Sequence, residues 1–286
     1  MTEAQRPDRP LVLCVGGHDP SGGAGILADA EAVQAMRAFP LTVITALTEQ
    51  DTCGLARIHP QPPEQIEAHC RRLMNDSPPS ALKIGLIGGA DIARMLARLI
   101  DTLATAERAR VPVVLDTVLA TGAGQSVADA ALREAVRDEL MRRCTLVTPN
   151  LLEARALTGA DTPEDCAEHL LVAGAPWVLI TGTHDDTEAV TNRLFGADGE
   201  RHAWDWPRLP GEYHGSGCTL AGAIAARLAH GMTLVQAVES AQTYTWKTLE
   251  RALRTGRCQL TPNRLHDERI EHPLGDRIDE FRRRTV

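Results

Sequence analysis

Three groups of residues in this sequence have the types and spacing for chemistry on a phosphorylated ligand. The first is Gly16-Gly17-His18-Asp19-Pro20-Ser21-Gly22-Gly23-Ala24-Gly25, which leads directly into a helical stretch carrying Asp29. Glycines allow close backbone approach, and a helix N-terminus offers unpaired N–H groups to an anion or polar ligand. The second is His214-Gly215-Ser216-Gly217-Cys218-Thr219-Leu220, which opens another helix. Small residues at Gly215, Ser216, Gly217 and Cys218 let consecutive N–H groups point into one concavity, which suits a transferring phosphoryl group. At a helix N-terminus the thiolate is favoured and a cysteine pKa falls, so Cys218 also fits a reactive thiol; the plainer alternative is a small packing residue. The third group is acidic, with Asp116 closing one apolar run and Asn150-Leu151-Leu152-Glu153 following the next. Magnesium takes oxygen ligands, keeps several waters and binds a triphosphate through one or two carboxylates, so Asp116 and Glu153 are candidate metal ligands. Glu153 alone also reads as a first-turn acid stabilised by its helix dipole. Gly23-Ala24-Gly25-Ile26-Leu27-Ala28 satisfies the G-x-G-x-x-A dinucleotide pattern, a weak signal when it stands alone.

These groups need strands and helices to position them. Apolar runs at 11–15, 41–47, 82–87, 111–115, 145–147 and 177–180 alternate with helical patterns at 24–38, 63–75, 90–106, 128–142, 151–157 and 163–173. That alternation predicts an α/β fold with a mostly parallel sheet covered by helices on both faces. Ligands of such sheets bind beyond the carboxyl ends of strands, where all three groups fall. Residues 189–206 predict an antiparallel addition with a turn at Ala197-Asp198-Gly199, and helices follow at 215–228 and 234–254. From Thr255 the chain is polar and loop-like, with a last helix ending in Arg282-Arg283-Arg284. No linker, repeat or low-complexity segment divides the chain, so 1–286 is expected to form one domain with peripheral tails at 1–9 and about 256–286.

Composition narrows the function classes. Hydrophobic residues make up 43% and charged residues 24%, which is ordinary for a protein with a packed core. A net charge of -8 supplies no basic footprint for nucleic acid. The start, MTEAQRPDRP, lacks the apolar core of a signal peptide, and no apolar run reaches membrane-spanning length, so no membrane contact and a cytoplasmic location are expected. Cysteines at 14, 53, 70, 144, 166, 218 and 258 are scattered, odd in number and without a C-x-x-C pair. Neither a disulfide framework nor a zinc site is expected, and most should be buried small hydrophobes. Only Lys83 and Lys247 are lysines, and neither follows a glycine, which excludes a Walker A loop. Lys83, inside an apolar strand, reads as a satisfied structural lysine, and Lys247 as a solvated helix residue.

In order along the chain, GGHDPSGGAGILAD, VITALTEQDT, KIGLIGG, VVLDTV, TPNLLEA and HGSGCTL resemble the motifs of the hydroxymethylpyrimidine/phosphomethylpyrimidine kinases, a thiamin-biosynthesis branch of the ribokinase-like superfamily. The resemblance spans about Leu11 to Leu253 and implies a ribokinase-like fold, ATP and magnesium as cofactors, and a small pyrimidine as substrate. It implies that Gly17, Asp29, Gln50, Leu86 and Val118 surround the pyrimidine, with its hydroxymethyl oxygen toward Cys218. A Gln50 amide can accept from an exocyclic amine while donating to the adjacent ring nitrogen. Cys218 would assist loss of the hydroxyl proton while the Gly215 to Cys218 amides hold the γ-phosphoryl, and Asp116, Asn150, Glu153, Thr181 and His184 would serve the nucleotide and its metal. The resemblance also allows for a homodimer.

The chain departs from that family's pattern where lysines are usual, at Thr121, in Thr181-Gly182-Thr183-His184 and across Leu209-Pro210-Gly211-Glu212-Tyr213. Phosphate charge must then be met by the metal, by the helix end at Gly215 to Cys218, or by an arginine. Two rival readings are a kinase of the same fold acting on a pyridoxine-like ring, and a non-catalytic pyrimidine-binding protein. Retention of Asp116, Glu153, Gly217 and Cys218 speaks against the second.

Overall fold

The computed structural model describes residues 8–103, 111–119, 128–183 and 187–266. Its centre is a nine-stranded sheet in the order β3-β2-β1-β4-β5-β6-β7-β8-β9. The strands are β1 (Leu11–His18), β2 (Phe39–Asp51), β3 (Gly54–Pro60), β4 (Ala81–Ile84), β5 (Val113–Leu115), β6 (Leu146–Val147), β7 (Trp177–Ile180), β8 (Ala189–Gly196) and β9 (Arg201–Pro207). From β2 through β7 neighbours run parallel, while β3 at one edge and β8 and β9 at the other are antiparallel.

The helices are α1 (Gly25–Ala35), α2 (Pro63–Asp76), α3 (Ala90–Leu103), α4 (Ala130–Ala135), α5 (Leu151–Thr158), α6 (Pro163–Val172), α7 (Ser216–Ala229) and α8 (Leu234–Glu250). Alternate residues of β1 show why both sheet faces are covered. Leu13 and Val15 join one apolar core with residues of α2 to α6, while Val12 and Cys14 join a second core with α1, α7 and α8. A central parallel strand buried on both sides reads as an unbroken apolar run for this reason.

The expected α/β architecture, with helices on both faces, is therefore present, and the hairpin turn falls at residues 197–199, where Gly199 has φ +91°. Several elements differ from expectation. Helix 24–38 stops at Ala35, and Arg37 turns the chain into β2 at φ +64°. The 128–142 pattern divides into α4, a π turn at Val136–Leu140 and a 3-10 turn at Met141–Arg143. Strand β3 was not anticipated. The expected helix ending in Arg282-Arg283-Arg284, and the tail at residues 1–7, lie outside the described residues. Among the described residues no helix is long and apolar enough to cross a membrane.

Two expectations need correction. Cys53 and Cys258 form a disulfide across a separation of 205 residues, which cysteine spacing alone could not signal. The other five cysteines are free and buried, as expected. The segment 256–266 is not a peripheral tail: it ties into the body of the molecule. Gln259 N–H donates to Thr52 O (3.1 Å), Leu260 N–H to Glu212 O (2.8 Å) and Asn263 N–H to Thr248 O (3.0 Å), while Arg264 is buried beneath the loop after β1.

Candidate active site

The loop after β1 is shaped by one carboxylate. Asp19 accepts from Ser21 N–H (2.9 Å), Ser21 Oγ–H (2.8 Å) and Ala24 N–H (2.8 Å). Burial alone raises the Asp19 carboxyl, but bonds from His214, Ser21 and Ala24 outweigh it and hold it below its ordinary value. His214, just ahead of α7, places Nε2 2.7 Å from Asp19 Oδ2 and 2.7 Å from the Gln50 side-chain amide. The loop after β1, the end of β2 and the start of α7 thus meet at one imidazole. Gly215 takes φ +86°, and any Cβ there would collide with the Gly23 carbonyl, so α7 can begin this close to the loop only with glycine. Arg264 secures the same corner from below, donating to Thr219 Oγ1 (2.8 Å), Gly22 O (3.2 Å) and Gly23 O and pairing with Glu31 (3.0 Å).

A charged cluster lies at the floor. Lys83 Nζ is 2.7 Å from Asp29 Oδ1 and 3.2 Å from Asp116 Oδ2, and Lys83 is 0% exposed. Burial would strip the ammonium of its proton, but attraction from Asp29 and Asp116 outweighs this and raises its pKa well above normal. Burial pushes the Asp29 carboxyl up to about 6 against the pull of Lys83. The satisfied structural lysine expected from sequence is thus bonded to two of the candidate site residues.

Cys218 stands in the first turn of α7 and is 9% exposed. The reactive-thiol alternative with a lowered pKa is corrected: burial raises it strongly, Asp116 and Asp29 add to the rise, and the pull of Lys83 and a backbone hydrogen bond from Gly25 do not compensate. Asn150 and Glu153 form a capping box on α5, with Glu153 N–H donating to Asn150 Oδ1 (2.9 Å) and Asn150 N–H to Glu153 Oε2 (3.0 Å). Leu119 N–H donates to Glu153 Oε1 (3.2 Å), and burial pushes this carboxyl up to about 8.

One cavity of about 550 Å³ collects these groups. Gly17, Asp29, Gln50, Leu86, Val118, Asp116, Asn150, Glu153, Thr181 and the Gly215 to Cys218 segment all line it. Gly17 permits close packing here, because a Cβ would sit 2.6 Å from Leu86 Cδ2. Thr181 N–H donates to Pro149 O (3.0 Å), which sets it beside Asn150. His184 and Thr121 lie outside the described residues. Sequence reasoning quoted Asp19 and His214 within motifs but gave them no role, and it missed Asn192, Trp206, Gln242 and Thr245, which line the same cavity from β8, β9 and α8. No local pattern marks those four, since their proximity arises only when the antiparallel edge packs on α8.

Residues 19–263 match the family model described as phosphomethylpyrimidine kinase. The chain belongs to the phosphomethylpyrimidine kinase family. Among curated relatives, the hydroxymethylpyrimidine/phosphomethylpyrimidine kinase of Streptomyces coelicolor is 35% identical over 241 residues, 82% of this chain and 87% of that protein. The Haemophilus influenzae protein of the same description is 33% identical over 254 residues, covering 86% and 93%. Among solved structures, a phosphomethylpyrimidine kinase from Clostridium difficile superposes with a TM-score of 0.72 at 27% identity, over 84% of this chain and 100% of that one. An ADP complex of Bacillus subtilis pyridoxal kinase superposes with a TM-score of 0.81 at 25% identity, covering 90% and 98%. As a member of the family the chain is a kinase with the ribokinase-like architecture that the motifs implied, and the dinucleotide reading of the loop after β1 falls away.

Proposed function

We propose that this chain transfers the γ-phosphoryl group of ATP to the hydroxymethyl oxygen of 4-amino-5-hydroxymethyl-2-methylpyrimidine, and then phosphorylates the monophosphate to the diphosphate, for thiamin biosynthesis. One observation carries the reading: Gln50, Asp29, Asp116, Glu153 and the start of α7 all line a single cavity. In-line transfer requires an acceptor hydroxyl and a triphosphate to meet at one point flanked by N–H donors. The hydroxymethyl oxygen forms its bond to the γ-phosphorus as the bond to the β,γ-bridging oxygen breaks, ADP leaves with that electron pair, and the hydroxyl proton is released. Because burial keeps the Cys218 thiol protonated, its part is to orient the hydroxyl, and the proton departs late, as the oxygen acidifies on phosphorylation.

The donor set also suits magnesium. Among the described residues no group of three or more His, Cys, Asp or Glu could hold a metal, so there is no resident cage. Asp116 supplies one carboxylate, and Glu153, which holds its proton at neutral pH without the ion, would supply a second by releasing that proton as magnesium arrives on a triphosphate. When bound, the ion neutralises charge on the phosphates. Asp116 is held beside Lys83, and Glu153 is held by the α5 capping box, so both carboxylates are fixed before any nucleotide enters.

The test is an ADP-coupled assay with the hydroxymethylpyrimidine, magnesium and ATP, followed by mass analysis for mono- and diphosphate. Both products are expected. Absence of phosphorylated pyrimidine would overturn the reading. The TM-score of 0.81 to a pyridoxal kinase supports one alternative substrate, and faster turnover of pyridoxal in the same assay would favour it.

A further inference from the structure

One imidazole nitrogen meets two partners that make opposite demands on it. His214 Nε2 is 2.7 Å from Asp19 Oδ2 and 2.7 Å from the Gln50 side-chain nitrogen. A carboxylate needs a proton on Nε2, whereas an amide N–H needs a bare lone pair there. Asp19 decides between them. It already accepts from Ser21 N–H, Ser21 Oγ–H and Ala24 N–H, bonds that favour its anion. A bare Nε2 at 2.7 Å would set two lone pairs against each other, so the proton sits on Nε2 and points to Oδ2.

The consequence falls on Gln50. Its amide has an oxygen end and a nitrogen end of nearly equal size, and the neighbouring hydrogen bonds determine which end lies where. Beside a protonated imidazole nitrogen the end that fits is Oε1, which shares the proton with Asp19 and leaves the amide NH2 at the far end. The ring is held in place for this. His214 is 7% exposed, its own backbone N–H donates to Leu260 O (2.9 Å), and its Cδ2 packs so closely on Gly23 that any Cβ there would collide with it. Gln50 is only half-buried, and it lines the cavity together with His214.

We propose that His214 is a positioning residue that locks the polarity of the Gln50 amide, so that the site takes a 4-aminopyrimidine edge and refuses its 4-oxo counterpart. The inference rests on the proposed reading of the pyrimidine by Gln50 and adds what fixes the direction of that reading. An aminopyrimidine presents a donor on its exocyclic nitrogen beside an acceptor in the ring; the 4-oxo ring presents an exocyclic acceptor beside a ring N–H. An amide free to turn end for end would serve both. One whose oxygen end is pinned keeps a second lone pair for the exocyclic amine, but meets the oxo ring with acceptor against acceptor and donor against donor.

The experiment titrates the full chain, without nucleotide, with 4-amino- and 4-oxo-5-hydroxymethyl-2-methylpyrimidine by calorimetry. Wild type should bind the amino compound at least about 100-fold more tightly. His214→Leu, which frees the amide to turn, should shrink that ratio by about tenfold or more. His214→Gln, whose NH2 can donate to Asp19 and to Gln50 Oε1 together, should keep it within about threefold of wild type. A merely structural role would weaken both pyrimidines alike, and an unchanged ratio in His214→Leu would overturn the proposal. A second measurement reads the proton itself in wild type. The nitrogen-15 spectrum of histidine-labelled protein, with the His214 signal assigned by its loss in His214→Gln, should show a protonated Nε2; a bare Nε2 would overturn the proposal whatever the affinities. Selective binding of the amino compound with no phosphorylated product in the coupled assay would retain the positioning role and remove the proposed reaction. Equal binding of the two pyrimidines by wild type would remove the positioning role and leave phosphoryl transfer standing.

Discussion

Cys218, Lys83, Asp29 and Asp116 share one water-poor corner, and each sets the charge of the others. Asp116 and Glu153 were legible from their places after strands and Cys218 from its glycine-opened helix, whereas the site role of Asp29 came from the family resemblance. Their pairing was not legible: Lys83 meets Asp116 across 33 residues of sequence, which leaves no local periodicity. Of the two readings of the thiol, the reactive one fails because burial outweighs the pull of the neighbouring Lys83 ammonium. Cys218→Ala should lower kcat by roughly 10²-fold while leaving pyrimidine affinity nearly intact. Cys218→Ser should recover most of that loss if the neutral group orients the hydroxyl; a serine variant as slow as the alanine one would restore the thiolate-base reading. Gln50→Leu should weaken pyrimidine capture by about 1–3 kcal/mol, measured as the pyrimidine dissociation constant. Glu153 allows a pH test. Its folded carboxyl keeps a proton up to about pH 8, whereas the unfolded one releases it near 4.5. The stability tied to that proton is therefore complete below pH 4.5 and is lost as pH rises toward 8. Gln at the same position preserves the capping box and does not titrate. The melting temperature of Glu153→Gln relative to wild type should rise steadily from pH 4.5 to 8, and parallel curves would show that the proton is not held.

At the level of elements, the central strands and most helices were readable because they are buried on both faces or amphipathic. Strand β3 was not, since Gly54–Pro60 carries Arg57, His59 and a terminal proline and is nowhere fully buried. It exists because Asp51 to Gly54 turns the chain back on β2, a long-range gain that propensity does not register. The polar composition of 256–266 concealed its packing in the same way. Arg264 shows what that segment does: one guanidinium spans the loop after β1, α1 and α7. Arg264→Leu should destabilise the fold by about 2–3 kcal/mol in urea denaturation, because two glycine carbonyls lose their donor. It should also lower kcat/KM, since the start of α7 loses its reference to the substrate loop. Lysine should not rescue it, as a single ammonium cannot reach three elements. Wild-type kinetics in Arg264→Leu would confine the residue to stability.

Over the whole molecule, the disulfide joins the β2–β3 turn to the segment that holds Arg264, and Gln50 lies three residues before Cys53. Closing so long a loop restricts the unfolded chain, with typical bonds contributing about 2–4 kcal/mol. A reductant, or Cys53→Ser, should therefore lower the urea midpoint and raise the pyrimidine KM. Unchanged values for both would mean that the hydrogen bonds from Gln259 to Thr52 and from Leu260 to Glu212 suffice. The bond also changes the molecule's covalent topology. Residues 53 to 258 form a closed ring that contains β3 through β9 and the helices α7 and α8. A protease that cuts once anywhere inside the ring produces two peptides that remain one covalent molecule. Such a nicked protein should migrate as a single band on a denaturing gel without thiol and as two bands with it. The mass of the smaller band then locates the cut, and its appearance without added thiol reports the fraction of chains in which Cys53 and Cys258 are reduced.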